Sequence, residues 1–251
     1  VDRNLIEMNR PGRERLFYSV CAAVLLIVMG IGFLPFYANG KAYGGHDLPR
    51  PIYTLTILHG VGMTAWALLF QLQTSLIARG CRHCHKLLGQ ASALLALLLV
   101  FLGLRMAIAS TLIAPPDLRI SGLLPGQFMI VPIFNILAFA GFTFIGLSLR
   151  KHPQAHRSLM LLSTLAIMSA AISRIDVVTA FYEGTFWQRL FGPFMGMLVL
   201  GALFMGANLL LNRKLDRSYA LGYAVLVTGS ALTIALATSQ AWQSLSLLML
   251  E

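Results

Sequence analysis

Long apolar runs recur along the chain, separated by short polar segments rich in arginine, glycine and proline. A bilayer core about 30 Å thick needs roughly 20 apolar residues in helix, each adding about 1.5 Å. Seven runs meet that length: 16–36, 52–77, 87–114, 128–149, 159–182, 191–211 and 219–239. The pattern predicts an all-α fold, a polytopic transmembrane bundle of about seven helices. No Gly/Ser/Pro linker, composition shift or internal repeat divides residues 1–251, so one domain is expected. The third run is long enough to tilt, or to emerge as an extra turn before Pro115-Pro116.

Composition agrees: 57% of residues are hydrophobic and 11% are charged, against about 25% charged in soluble domains. A net charge of +10 would ordinarily suggest a nucleic-acid partner. Here, however, the basic residues form short clusters between apolar runs rather than a stripe with interleaved aromatics, so the expected partner is the lipid bilayer and no nucleic acid. Threaded through seven spans, Arg3, Arg10, Arg13, Arg15, Arg79, Arg82, Lys86, Arg150, Lys151, Arg157, Arg213, Lys214 and Arg217 fall on one side. Lys41, Arg50, Arg119 and Arg189 fall on the other. Basic loops resist translocation, which predicts a cytoplasmic N-terminus and puts Glu251 outside. The first run lacks a small-residue cleavage site and reads as an uncleaved helix rather than a signal peptide.

Ionisable groups within a span cost at least a few kcal/mol at the bilayer centre, so they generally face protein or water. Those inside the expected spans are His59, Arg105, Arg174 and Asp176, with Asn135 as a neutral companion. Counted along continuous helices, His59, Arg105, Asn135 and Arg174 lie roughly 8–13 Å below the outer surface. A shared ligand site there is the economical reading, with Asp176 as counter-charge to Arg105 or Arg174. A network that merely locks the bundle is the bland alternative. His59, Trp66 and Gln73 recur every seven residues and share a stripe of the second helix. His156 and Arg174, eighteen apart, share a face of the fifth, whereas His85 and Arg105 project from nearly opposite faces of the third.

His85 and His156 open the third and fifth helices on the basic side, as candidates to hold a b-type haem or a metal ion. Histidines capping helices at a water interface are the ordinary alternative. His59 has no second histidine within the spans; the loop residue His46 is its one candidate partner. Cys81-Arg82-His83-Cys84-His85 spells the c-type haem attachment pattern, but covalent attachment occurs outside the cytoplasm, so the match reads as accidental. The expectation is reduced thiols, or zinc held with help from His152 or His156. Cys21 reads as packing, as do Gly192, Gly196, Gly201 and Gly206 in the sixth helix. Phosphate-loop, zinc-protease and serine-hydrolase motifs are absent, and no lysine lies mid-span in the seventh helix for a retinal Schiff base.

His59 with Trp66 and Gln73, then His85-x-x-x-Gly89, then His156-Arg157-x-x-Met160 followed by Arg174, resembles a widespread group of uncharacterised bacterial multi-pass membrane proteins. That group is similar in pattern to a domain of unknown function. The resemblance covers roughly Leu58 to Arg174 and implies architecture, candidate residues and a bacterial inner-membrane location. Three functions are compatible with the residues. The first is a redox-associated protein binding haem b or a quinone between the second, third and fifth helices. The second is a carrier or receptor for a small anion, with Arg105 and Arg174 as charge partners and His59 as a protonatable gate. The third is an accessory or assembly subunit of a larger membrane complex.

Overall fold

The computed structural model describes residues 10–42 and 45–250, with side chains from Arg13 onward. Arg3 and Glu251, which entered the topological reasoning, lie outside the described residues. The fold is all-α. Among the described residues the only β features are isolated bridges, Lys41 with Asp47 and Ile120 with Leu123. Seven helices are long and apolar enough to cross a membrane: Arg13–Gly32, Arg50–Ala78, Arg82–Ile113, Pro125–Ser148, Pro153–Ile172, Phe186–Asn212 and Arg217–Ala237. They are called the first to seventh spans below. Leu94, Leu97, Phe101, Phe144, Leu210 and Leu221 project outward from them as exposed side chains, which suits a hydrocarbon solvent.

The fifth span is the axis of the bundle. Of its most apolar window 72% is buried, against 17% for the second and third spans. It packs against the first, fourth, sixth and seventh spans, while the third packs against the second and fourth. The fifth is also the span richest in buried hydroxyls, with Ser158, Ser163, Thr164 and Ser169 all essentially inaccessible. Each finds a partner, since an unpaired hydroxyl is costly away from water. Ser163 Oγ lies 2.6 Å from Thr143 Oγ1 and donates to the Phe139 carbonyl, and Thr164 Oγ1 accepts from Trp66 Nε1 at 3.2 Å.

Small residues set the closest approaches between spans. A side chain on Gly32 would overlap the backbone carbonyl of Ala171, so the first and fifth helices touch through bare backbone there. Cβ atoms on Gly196 and Gly201 would press into Ile172 and into Tyr223 with Leu165, as packing glycines should. Gly206 faces open space. Gly192, at φ 50°, breaks the sixth span between helices Phe186–Phe191 and Met195–Asn212, a left-handed conformation that glycine adopts without penalty.

Two elements differ from the hydropathy reading. The fifth span is expected over 159–182, but it begins at Pro153 and ends at Ile172. Its backbone tightens into three-residue turns, Met168 N–H to Leu165 O and Ala171 N–H to Met168 O, and after the four-residue bond from Ser173 N–H to Ser169 O it continues only as three-residue turns at Arg174 and Ile175. Serine side chains compete for backbone acceptors there, and Ser173 Oγ donates to the Ala170 carbonyl. Arg174 and Asp176 therefore lie beyond the span rather than within it. A separate helix, Gln240–Leu250, also follows the seventh span, docked by Trp242 Nε1 on the Gly126 carbonyl at 2.9 Å. In the loop at that same end, the hydrogen bond from Lys41 Nζ to Asp47 (2.5 Å), and then the charge behind it, holds the Asp47 carboxyl below its ordinary value.

Candidate functional site

At the arginine-rich end, the first five spans line a cavity of about 560 Å³. That size falls within the range of about 300–1,000 Å³ typical of small-molecule sites. Its mouth carries Arg15, Arg82, Lys86, Arg150 and Arg157, with Glu14 as the acidic member. Its walls are apolar, built from Leu69, Phe70, Ile77, Ala93, Leu147 and Met160, and Trp66 stands at its inner end. Trp66 is twelve residues from the end of the second span, so the cavity reaches roughly 15–18 Å inward.

His85 and His156 face each other across this space from the first turns of the third and fifth spans. Their ring centroids are 6.2 Å apart and their planes stand 81° apart. Each ring is held through Nδ1. His156 Nδ1 donates to the Gly146 carbonyl at 2.8 Å, which leaves Nε2 with its lone pair. His85 Nδ1 meets the Gln73 side chain. With the amide turned so that its oxygen accepts from the Gly89 N–H at 2.9 Å, its nitrogen donates to His85 Nδ1 (2.5 Å) and to the His85 carbonyl (3.2 Å). In that state the His85 ring carries its proton on Nε2. Gly89 leaves room for the Gln73 amide, whose nearest atom would stand 3.8 Å from a Cβ there.

The remaining wall is braced by charge and aromatic contacts. Arg157 pairs with Glu14 at 2.6 Å and lies over the Tyr18 ring, 5.2 Å from its centroid. Tyr18 Oη lies 3.0 Å from Ser158 Oγ and donates to the buried Asp216 carboxylate at 3.4 Å. Trp66 stands edge-on to Phe139, with centroids 4.9 Å apart.

Of the residues singled out in the sequence, the structure gathers Trp66, Gln73, His85 and His156 at this cavity, together with Gly89 and Met160. The others lie elsewhere. His59 packs against Gly103 of the third span and its Nδ1 is buried with no hydrogen-bond partner. Asn135 Nδ2 donates to Ser169 Oγ at 2.6 Å. Arg105 is exposed on the outside of the third span. Arg174 lies over the Phe33 ring, 4.8 Å from its centroid, and donates to the Ala170 carbonyl, while Asp176 is exposed at the start of the short helix Asp176–Thr179. His46 is exposed in its loop.

The cavity mouth was overlooked in the sequence because its arginines and lysine serve equally as topological signals. Glu14, the one acid set among them, is the signal that could have marked a built site. The two cysteines also differ from expectation: Cys81 and Cys84 are joined in a disulfide, not held as free thiols. Among the described residues no cluster of three or more His, Cys, Asp or Glu side chains is arranged for a metal ion. Comparison with protein-family models, curated proteins and solved structures finds no match to this chain.

Proposed function

We propose that this multi-pass membrane protein binds a redox-active, amphipathic cofactor of the haem b class at its arginine-rich end, between His85 and His156. The observation that carries the reading is the imidazole pair itself. A ring separation of 6.2 Å leaves room for one metal ion bonded to a nitrogen of each ring at about 2.0–2.1 Å. His156 donates its Nδ1–H to a backbone carbonyl, as metal-ligating histidines generally do, and His85 Nδ1 is positioned by the Gln73 amide. The apolar walls suit a macrocycle, and Arg15, Arg82, Lys86, Arg150 and Arg157 suit its carboxylates at the water interface. The second, third and fifth helices, between which the sequence suggests a haem b or quinone, border this cavity, and the arginine asymmetry supports a cytoplasmic mouth. The resemblance to bacterial membrane proteins supports an inner-membrane location.

Ligation by His85 requires a proton on its Nδ1 and the Gln73 oxygen turned toward it, a rotation of one amide with the heavy atoms otherwise fixed. The protein purified in detergent from cells supplied with haem precursor should show a Soret band and carry iron. His85→Ala and His156→Ala should each abolish the band with folded yield retained. A colourless, iron-free preparation would exclude haem.

A quinone is the second reading, and the Gln73 amide favours it. As oriented, His85 presents an Nε2–H donor and His156 an Nε2 acceptor. That complementary pair fits a quinone carbonyl and a quinol hydroxyl. Quenching of Trp66 fluorescence by a short-chain quinone, lost in His85→Ala, would support this reading; no quenching in the iron-free protein would remove it.

A further inference from the structure

Cys81 is the last residue before the third span and Cys84 lies in its first turn. Their disulfide closes a loop with a sequence separation of 3, and a cross-link that short removes little freedom from the unfolded chain. The turn is moreover held without it. Cys81 N–H bonds the Leu76 carbonyl, Gly80 N–H bonds Ile77, and His85 N–H bonds the Cys81 carbonyl, at 2.9, 3.1 and 3.1 Å. Gly80, at φ 83°, makes the reversal. The bond is therefore dispensable as a staple, which leaves its chemistry.

That chemistry is accessible. Cys84 is exposed and Cys81 half-buried. Arg79, Arg82 and Lys86 flank the pair along the chain, and Cys81 sits at the helix amino terminus. Positive charge and helix termini both stabilise a thiolate, the species that attacks and leaves in disulfide exchange. Cys84 also directly precedes His85, so the pair stands at the mouth of the cavity.

We propose that Cys81 and Cys84 form a reversible dithiol–disulfide pair that accepts two electrons from a soluble dithiol at the arginine-rich end of the protein. A thiolate of the donor attacks the exposed Cys84 sulfur, forming a mixed disulfide, and Cys81 departs as thiolate. The donor's second thiolate then attacks its own sulfur in the mixed disulfide and expels the Cys84 thiolate. The donor leaves oxidised to a disulfide, and two protons convert the cysteines to thiols. The inference does not depend on what the cavity binds.

The test uses the intact protein in lipid nanodiscs, equilibrated in mixtures of reduced and oxidised dithiothreitol and then labelled with a maleimide–polyethylene glycol. Buried Cys21, at 2% exposure, should stay unlabelled. Two labels should appear together on reduction and vanish together on reoxidation. In Cys84→Ser, one label should be present at every ratio. A pair that resists reduction until the protein is denatured, labels that appear singly, or reduced protein that does not reoxidise would each overturn the proposal.

Discussion

Asp216 does more for the fold than its place in a short connector suggests. One carboxylate oxygen caps the seventh span by accepting from the Tyr219 N–H at 3.1 Å, and the other accepts from Ser158 Oγ at 2.7 Å and Tyr18 Oη at 3.4 Å. The first, fifth and seventh spans thus meet at one buried side chain that is 7% exposed. Losing a cap costs about 0.5–2 kcal/mol, and stranding buried hydroxyls adds about 1–3 kcal/mol. Asp216→Ala should therefore destabilise by about 2–4 kcal/mol, read as an earlier midpoint of unfolding in mixed micelles of increasing dodecyl sulfate. Asp216→Asn keeps an oxygen for the cap and should lose distinctly less. Equal losses in the two variants would show that the cap contributes little beside the carboxylate's bonds to Ser158 and Tyr18.

At the scale of helices, backbone contact between the first and fifth spans rests on Gly32. Alanine there collides with the Ala171 carbonyl, and the neighbour that must move is backbone in the most buried helix. Gly30→Ala, by contrast, points its methyl into open space. Overpacking costs about 1–3 kcal/mol, whereas alanine replacing a helical glycine with open space at its Cβ gains up to about 1 kcal/mol. Gly32→Ala should lower the thermal midpoint in detergent while Gly30→Ala leaves or raises it; the reverse order would mean that the two helices do not touch there. The seven spans were legible because twenty apolar residues have few other uses. The end of the fifth was not, since Ser173-Arg174-Ile175-Asp176 holds neither glycine nor proline and hydropathy resumes at Val177-Val178. Depths counted at 1.5 Å per residue through that break put Arg174 and Asp176 inside a span that ends at Ile172. The separate helix Gln240–Leu250 was hidden for the opposite reason: it is too short to span and carries no charge before residue 251.

For the molecule as a whole, polarity resides in its two ends. The arginine-rich end holds the cavity, both facing histidines and the cysteine pair, whereas the opposite end carries the Trp242 helix and the loop stapled by Lys41 and Asp47. The histidines were legible as a pair because each opens a helix on the same side. The cavity was not, because its lining is drawn from five helix ends far apart in the sequence, and no local pattern encodes how they come together. The same arginines that ring the mouth should also set orientation, since positively charged loops are retained in the cytoplasm. An epitope inserted after Lys151 should then be reached by antibody in intact spheroplasts only after permeabilisation, whereas one inserted in the loop at 115–119 should be reached without it. Replacing Arg150, Lys151 and Arg213 together by Gln weakens the bias without touching any apolar run, so a minority of inverted molecules should appear. If the Lys151 epitope were instead exposed in intact spheroplasts, the cavity would open outward. The proposed cofactor and the proposed dithiol donor to Cys81 and Cys84 would then have to come from the other compartment.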